Sequence, residues 1–341
     1  MDPDDRLFDN LREEEARRRA YGNVRPIIHA VFEGHRLVAV GSTLFVDRRW
    51  KTFTDFLFDY LKLSFGREWW DTEQKKPIAE QHPVLHWSEA TYSFRRSHPP
   101  NADGICEAVP DGPTMAYVAL AYDLYVLNDH HLLQNRLIQR LKNRDQFQGV
   151  RYELFVTATC VRADYEIVYE DERDRSVKHN EFIARQRLTG QTIVVEAKSR
   201  HRPGVLAMDA TPAPPEDLRV GIGQLVRDAL GKPATHPRAI FVDVNFPPAP
   251  PNSGAPVWLP EALSTLRDII MEQGNVIPWN IVVLTNHPYH YGPQGVTFPA
   301  EQTAGHLPLA PRPPVAARQA LTDLLVAAQQ FGKVPTSFPD E

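Results

Sequence analysis

Ile193-Val194-Val195-Glu196-Ala197-Lys198 is the stretch on which the fold turns. Read as a β-strand, its side chains alternate, so Val194, Glu196 and Lys198 point to one side and Ile193, Val195 and Ala197 to the other. A strand apolar on both sides is one buried between helices, which predicts an α/β core. The same stretch sets an acid and a base side by side at one end of that core. Desolvating both is costly unless they pair or bind an ion. Acid-x-lysine triplets are not rare in themselves, and the chain holds two, Glu73-Gln74-Lys75 and Glu196-Ala197-Lys198. Only the second closes an apolar run.

Working outward, Glu181 opens the β-type run Phe182-Ile183-Ala184, and Leu188-Thr189-Gly190-Gln191 is a turn that folds this run back against 192–195. A tight turn between two strands can bring Glu181 near Glu196, and paired carboxylates are what a Mg²⁺ or Mn²⁺ site needs. Upstream, 165–169 is a further short strand and 150–161 reads as a helix carrying Glu153. Downstream, a loop with Pro203, Pro212, Pro214 and Pro215 precedes a helix over 218–230 and a strand over 239–244. The middle of the chain therefore runs α-β-β-β-α-β. Beyond it the pattern predicts a helix at 260–272, a strand at 280–284 and a last helix at 315–331.

The first 146 residues read as a mainly helical region with a small β element, placed to recognise a substrate or partner. Residues 1–21 suit a solvated helix or arm, 27–46 a hairpin, and Phe53, Phe56, Leu57, Tyr60 and Leu61 recur at helical spacing. Helices are also expected near 84–96 and over 114–142. Residues 147–290 form the α/β core, and 291–341 a proline-rich extension with a terminal helix. Prolines number 8 in residues 1–202 and 22 in 203–341, which predicts turns and extended segments rather than long helices in the later part.

The formal net charge of -5 excludes a broad basic surface, so a nucleic-acid site has to be a local patch. Two cysteines, Cys106 and Cys160, make neither a disulfide framework nor a cysteine-based zinc site. No apolar run reaches membrane-span length, and the acidic start lacks the basic segment of a signal peptide, so a cytoplasmic protein with no membrane partner is expected. Gly221-Ile222-Gly223 lacks the rest of a phosphate-loop signature. His287-Pro288-Tyr289-His290 is broken by proline and has no obvious third metal ligand.

Residues 147–245 resemble the PD-(D/E)XK nuclease superfamily. The resemblance implies a restriction-endonuclease-like, three-layer α-β-α core behind the mainly helical N-terminal region. On this likeness Glu196 and Lys198 are the (D/E)XK signature, Glu181 the acid opening the second strand, Glu153 the acid of the first helix and Gln224 the glutamine of the following helix. Asn180-Glu181 stands where the family has Pro-Asp, and Asp171 or Glu172 could supply that acid instead. The family's chemistry is Mg²⁺- or Mn²⁺-dependent phosphodiester hydrolysis. It would place Glu181, Glu196, the Ala197 carbonyl and Glu153 on metal, with Lys198 at the attacking water. Arg200, His201 and Arg202 would grip flanking phosphates. DNA is the expected substrate ahead of RNA. A protein partner for the N-terminal region and a homodimer both remain open. So do a nuclease fold that has lost activity and serves as a binding or scaffold module, and a subunit of a larger defence or repair assembly. Each group also has a plain reading: Glu196 and Lys198 as a salt-bridged strand end, Glu153 and Gln224 as solvated helix residues, the arginines as a solvated loop.

Overall fold

A computed structural model describes residues 3–169, 180–206, 213–214, 218–248, 255–291 and 302–339, with 3–10 known by backbone alone. Among these the fold is mixed α/β, with ten helices, a three-stranded sheet and a six-stranded sheet. Helix α1 (Pro3–Tyr21) leads into the antiparallel strands β1 (Ile28–Phe32), β2 (His35–Val40) and β3 (Thr43–Asp47). The 27–46 segment was expected to be a hairpin and gains a third strand, β3, because Gly41, at φ 58, turns the chain back again. Five helices follow: α2 (Phe53–Phe65), α3 (Arg67–Glu73), α4 (Pro83–Ser97), α5 (Gly112–Asp129) and α6 (Asn135–Leu141). Helix α2 starts where Thr52 and Asp55 cap each other reciprocally and stops at Gly66, whose φ of 79 few other residues tolerate. The helix expected over 114–142 is two helices. His131 takes a left-handed backbone, φ 58, and breaks the run without any glycine or proline.

Helix α7 (Phe147–Arg162) opens the core. It is followed by β4 (Tyr165–Tyr169), β5 (Phe182–Gln186), β6 (Thr192–Ser199), α8 (Gly223–Leu230), β7 (Arg238–Asp243), α9 (Leu259–Glu272), β8 (Ile281–Thr285), β9 (Thr303–His306) and α10 (Arg318–Gln329). The sheet order is β4-β5-β6-β7-β8-β9. Pairing is antiparallel from β4 to β6, parallel from β6 to β8 and antiparallel at β9. The α-β-β-β-α-β order is thus present, except that α8 begins at Gly223 rather than 218.

Strand alternation builds two cores. Val195, Ala197, Phe241 and Val283 face α7 and α10, within a cluster that continues through α5 into α2 and α4. Ile240, Val242, Val282 and Leu284 face Val226 of α8 and Leu266 of α9. Helices therefore cover both faces of the parallel strands, which is why β6, β7 and β8 read as nearly continuous apolar runs. Among the described residues no helix is long and apolar enough to cross a membrane.

Candidate active site

The carboxyl half of β6 carries the site. Glu196 pairs with Ile240 in the parallel ladder and shares its face, the side covered by α8. The last paired position of β5 is Phe182 opposite Val195, so the next step along both chains sets Glu181 opposite Glu196. The tight turn at Thr189-Gly190, with Gly190 at φ 68, fixes that register.

Two lysines join the two acids. Lys198 Nζ lies 3.3 Å from Glu196 Oε2 and 3.6 Å from Glu181 Oε1. Lys232 Nζ lies 2.9 Å from Glu196 Oε2 and 3.6 Å from Glu181 Oε1. Glu196 has no exposed side-chain surface, while Glu181, Lys198 and Lys232 keep 17–20%. The four charges sum to zero in a nearly closed space. Burial pushes the Glu196 carboxyl up, and Lys198 and Lys232 oppose that shift. Burial disfavours the Lys198 ammonium, but Glu196 and Glu181 outweigh it and hold its pKa above the ordinary value.

Lys232 is the residue that the sequence did not reveal. It follows α8, and its loop is held from both sides. Arg238 donates to the Ala229 and Lys232 carbonyls, and the Asn180 amide donates to the Pro233 carbonyl at 3.0 Å. Asn180, standing where the resemblance has proline, thereby ties the β5 acid to the second lysine.

Other expected residues lie elsewhere. Glu153 sits on α7, on the opposite side of the sheet from Glu196, and makes two charge-assisted hydrogen bonds of 2.7 and 2.8 Å with Arg140. It ties α6 to α7. Gln224 is exposed and donates to Asp228 one turn along at 2.7 Å. Arg202 is buried and donates to the carbonyls of Asn245, Arg219 and Val244. His201 is half-buried, and burial together with Arg200 lowers its pKa. Ala197 lies beyond the last residue paired with β5. Asp171 and Glu172 lie outside the described residues.

The donor set fits a hard divalent cation in its chemistry. Glu196 Oε1 is buried without a hydrogen-bond partner among the described residues, which leaves it able to bind a ligand atom. Among the described residues no group of three or more His, Cys, Asp and Glu side chains converges. An ion here would rest on two carboxylates, backbone oxygen and water, a set that suits Mg²⁺, which keeps several waters. No family model, no curated protein and no solved structure matches the chain.

Proposed function

We propose that the chain is a divalent-metal-dependent nuclease of the PD-(D/E)XK type, with 147–245 as its restriction-endonuclease-like core, hydrolysing phosphodiester bonds of DNA. The observation that carries this reading is the buried Glu196, opposite Glu181, with Lys198 reaching both at the end of a core strand. A Mg²⁺ or Mn²⁺ ion on Glu181, Glu196 and the Ala197 carbonyl would supply an activated water and offset charge on the phosphate. Lys198, kept cationic by its two acids, orients that water or bonds a phosphate oxygen as charge builds there. Glu181 is the more exposed of the two acids, and α8 packs against β6, the strand that carries Glu196.

A second reading, a nuclease fold that binds without cutting, is favoured by one observation: Lys198 and Lys232 already balance both carboxylates. The test is incubation of plasmid and single-stranded DNA with Mg²⁺, Mn²⁺ or chelator. The first reading expects cleavage that stops with chelator and with Glu196→Gln or Lys198→Ala. Cleavage that survives both substitutions sinks the site, and binding without cleavage under any metal selects the second reading.

A further inference from the structure

At the carboxyl ends of β6 and β7 lies a cavity of about 260 Å³ that the acidic site does not use. In open α/β sheets such crevices are where ligands bind. Arg200, Arg202 and Arg219 line it, and no aspartate or glutamate is among the described residues around it. The Arg202 guanidinium is buried, with three carbonyls as its hydrogen-bond acceptors and no ion pair among the described residues. Carbonyl dipoles satisfy its protons, and Asp243 and Glu261 act on its charge only from beyond ion-pair distance, which leaves it costly to hold out of water. Arg200 Nε is likewise buried, without a hydrogen-bond partner among the described residues. Gly221 covers it closely: φ there is 61, and a Cβ would come within 3.2 Å of that nitrogen. Guanidiniums without acids are suited to a phosphate, which they grip with paired hydrogen bonds.

The remaining wall is apolar and aromatic, with Val205, Leu218 and Tyr291. We infer that this cavity holds one phosphorylated nucleotide, the phosphate on the arginines and the base against Tyr291 and Leu218. Its volume is about that of one such unit. The Arg200 amide donates to the Asp243 carbonyl and so prolongs the β6–β7 ladder, keeping Arg200 on the face of Lys198. At the rise of a strand their Cα atoms are roughly 7 Å apart. Resting on the nuclease reading, the cavity then selects an unpaired nucleotide beside the bond to be cut, making single strands or frayed ends the substrate.

The test is binding in chelator, where no cleavage occurs, with dTMP, inorganic phosphate, a short single-stranded oligothymidylate and a hairpin duplex of equal length as probes. The inference expects dTMP to bind more tightly than phosphate, and the single strand about tenfold more tightly than the duplex. Arg200→Ala weakens dTMP and the single strand about tenfold without lowering the thermal midpoint, and Arg200→Lys recovers only part of the loss. No dTMP binding, dTMP no better than phosphate, or equal binding of duplex and single strand overturns it. A protein that binds dTMP in chelator yet never cuts leaves this site standing and removes only the nuclease reading.

Discussion

Replacing Lys232 by methionine isolates the part of the site that was least expected. In the native protein the buried Glu196 has ammonium groups at 2.9 and 3.3 Å. Methionine keeps the length of the stem and removes the nearer charge. Breaking a buried ion pair outright costs about 3–5 kcal/mol. Lys198 remains and Lys232 is itself partly exposed, so we expect about 2 kcal/mol at neutral pH, discounted for screening. For a chain of 341 residues that corresponds to roughly 3 °C in thermal midpoint. The pH profile carries the sharper signature. Burial already raises the Glu196 pKa in the fold, and a raised carboxyl contributes stability at low pH that is lost as pH rises through the folded value. Losing Lys232 raises it further, so the deficit shrinks as pH falls and Glu196 takes up a proton. Adding Glu196→Gln to the variant should recover about 1 kcal/mol or more, a coupling that distant sites do not show. Mg²⁺ should raise the midpoint of Lys232→Met by more than that of the native protein, because an ammonium group no longer competes for the carboxylates. Urea unfolding at pH 5 and 7, with and without Mg²⁺, measures all of this. A variant as stable as the native protein at pH 7, with an unchanged pH profile, refutes the reasoning.

His287 stacks on Phe331 at 3.9 Å, both its ring nitrogens lack hydrogen-bond partners among the described residues, and burial drives its pKa well below the ordinary value. Burial likewise lowers His290 well below that value, and His82 to about 3. Each binds a proton when unfolded but not when folded below about pH 6.5, so stability present above that pH is lost as it falls, by about 2 kcal/mol per histidine at pH 5. His287→Phe should remove about 2 kcal/mol of the difference in unfolding free energy between pH 7 and pH 5, and an unchanged difference defeats this account. Glu153→Gln should cost about 1 kcal/mol by loosening the Arg140 tie while leaving metal-dependent cleavage intact, and loss of cleavage in a folded variant would return Glu153 to the site. Thr52→Ala, which removes the α2 cap, should cost about 1 kcal/mol in the same urea assay, with no change in nucleotide binding.

The β5–β6 hairpin and the pairing of Glu181 with Glu196 were legible because both are local. A turn with glycine at a positive φ, two alternating strands and one register decide them. Lys232 was not legible, since it reaches Glu196 from the far end of α8 and a loop without any repeating pattern. The pattern that found α7 could not say which way Glu153 points. That helix buries residues all round, so its apolar periodicity marks no outward face, and Arg140 from the preceding helix decides the matter. Arg202 reads as a solvated loop residue because its acceptors, the carbonyls of residues 219, 244 and 245, come together only once β7 is in place. Strand β9 escaped because Thr303-Ala304-Gly305-His306 has no apolar run and exists through pairing to β8.

Phe338 is buried against Phe53, His29 and the Arg36 guanidinium, and the Thr54 amide donates to the Thr336 carbonyl. Contacts spanning nearly the whole sequence therefore close the three-stranded sheet onto α2. During synthesis the first 60 residues cannot complete their packing until residues 336–338 have been made. Until then the hydrophobic seat of Phe338 between β1, β2 and α2 stays open to solvent. For that interval the early region is a client for whatever shields exposed apolar surface in the cell, and a ribosome stalled before residue 336 releases a chain whose first sheet is unsealed.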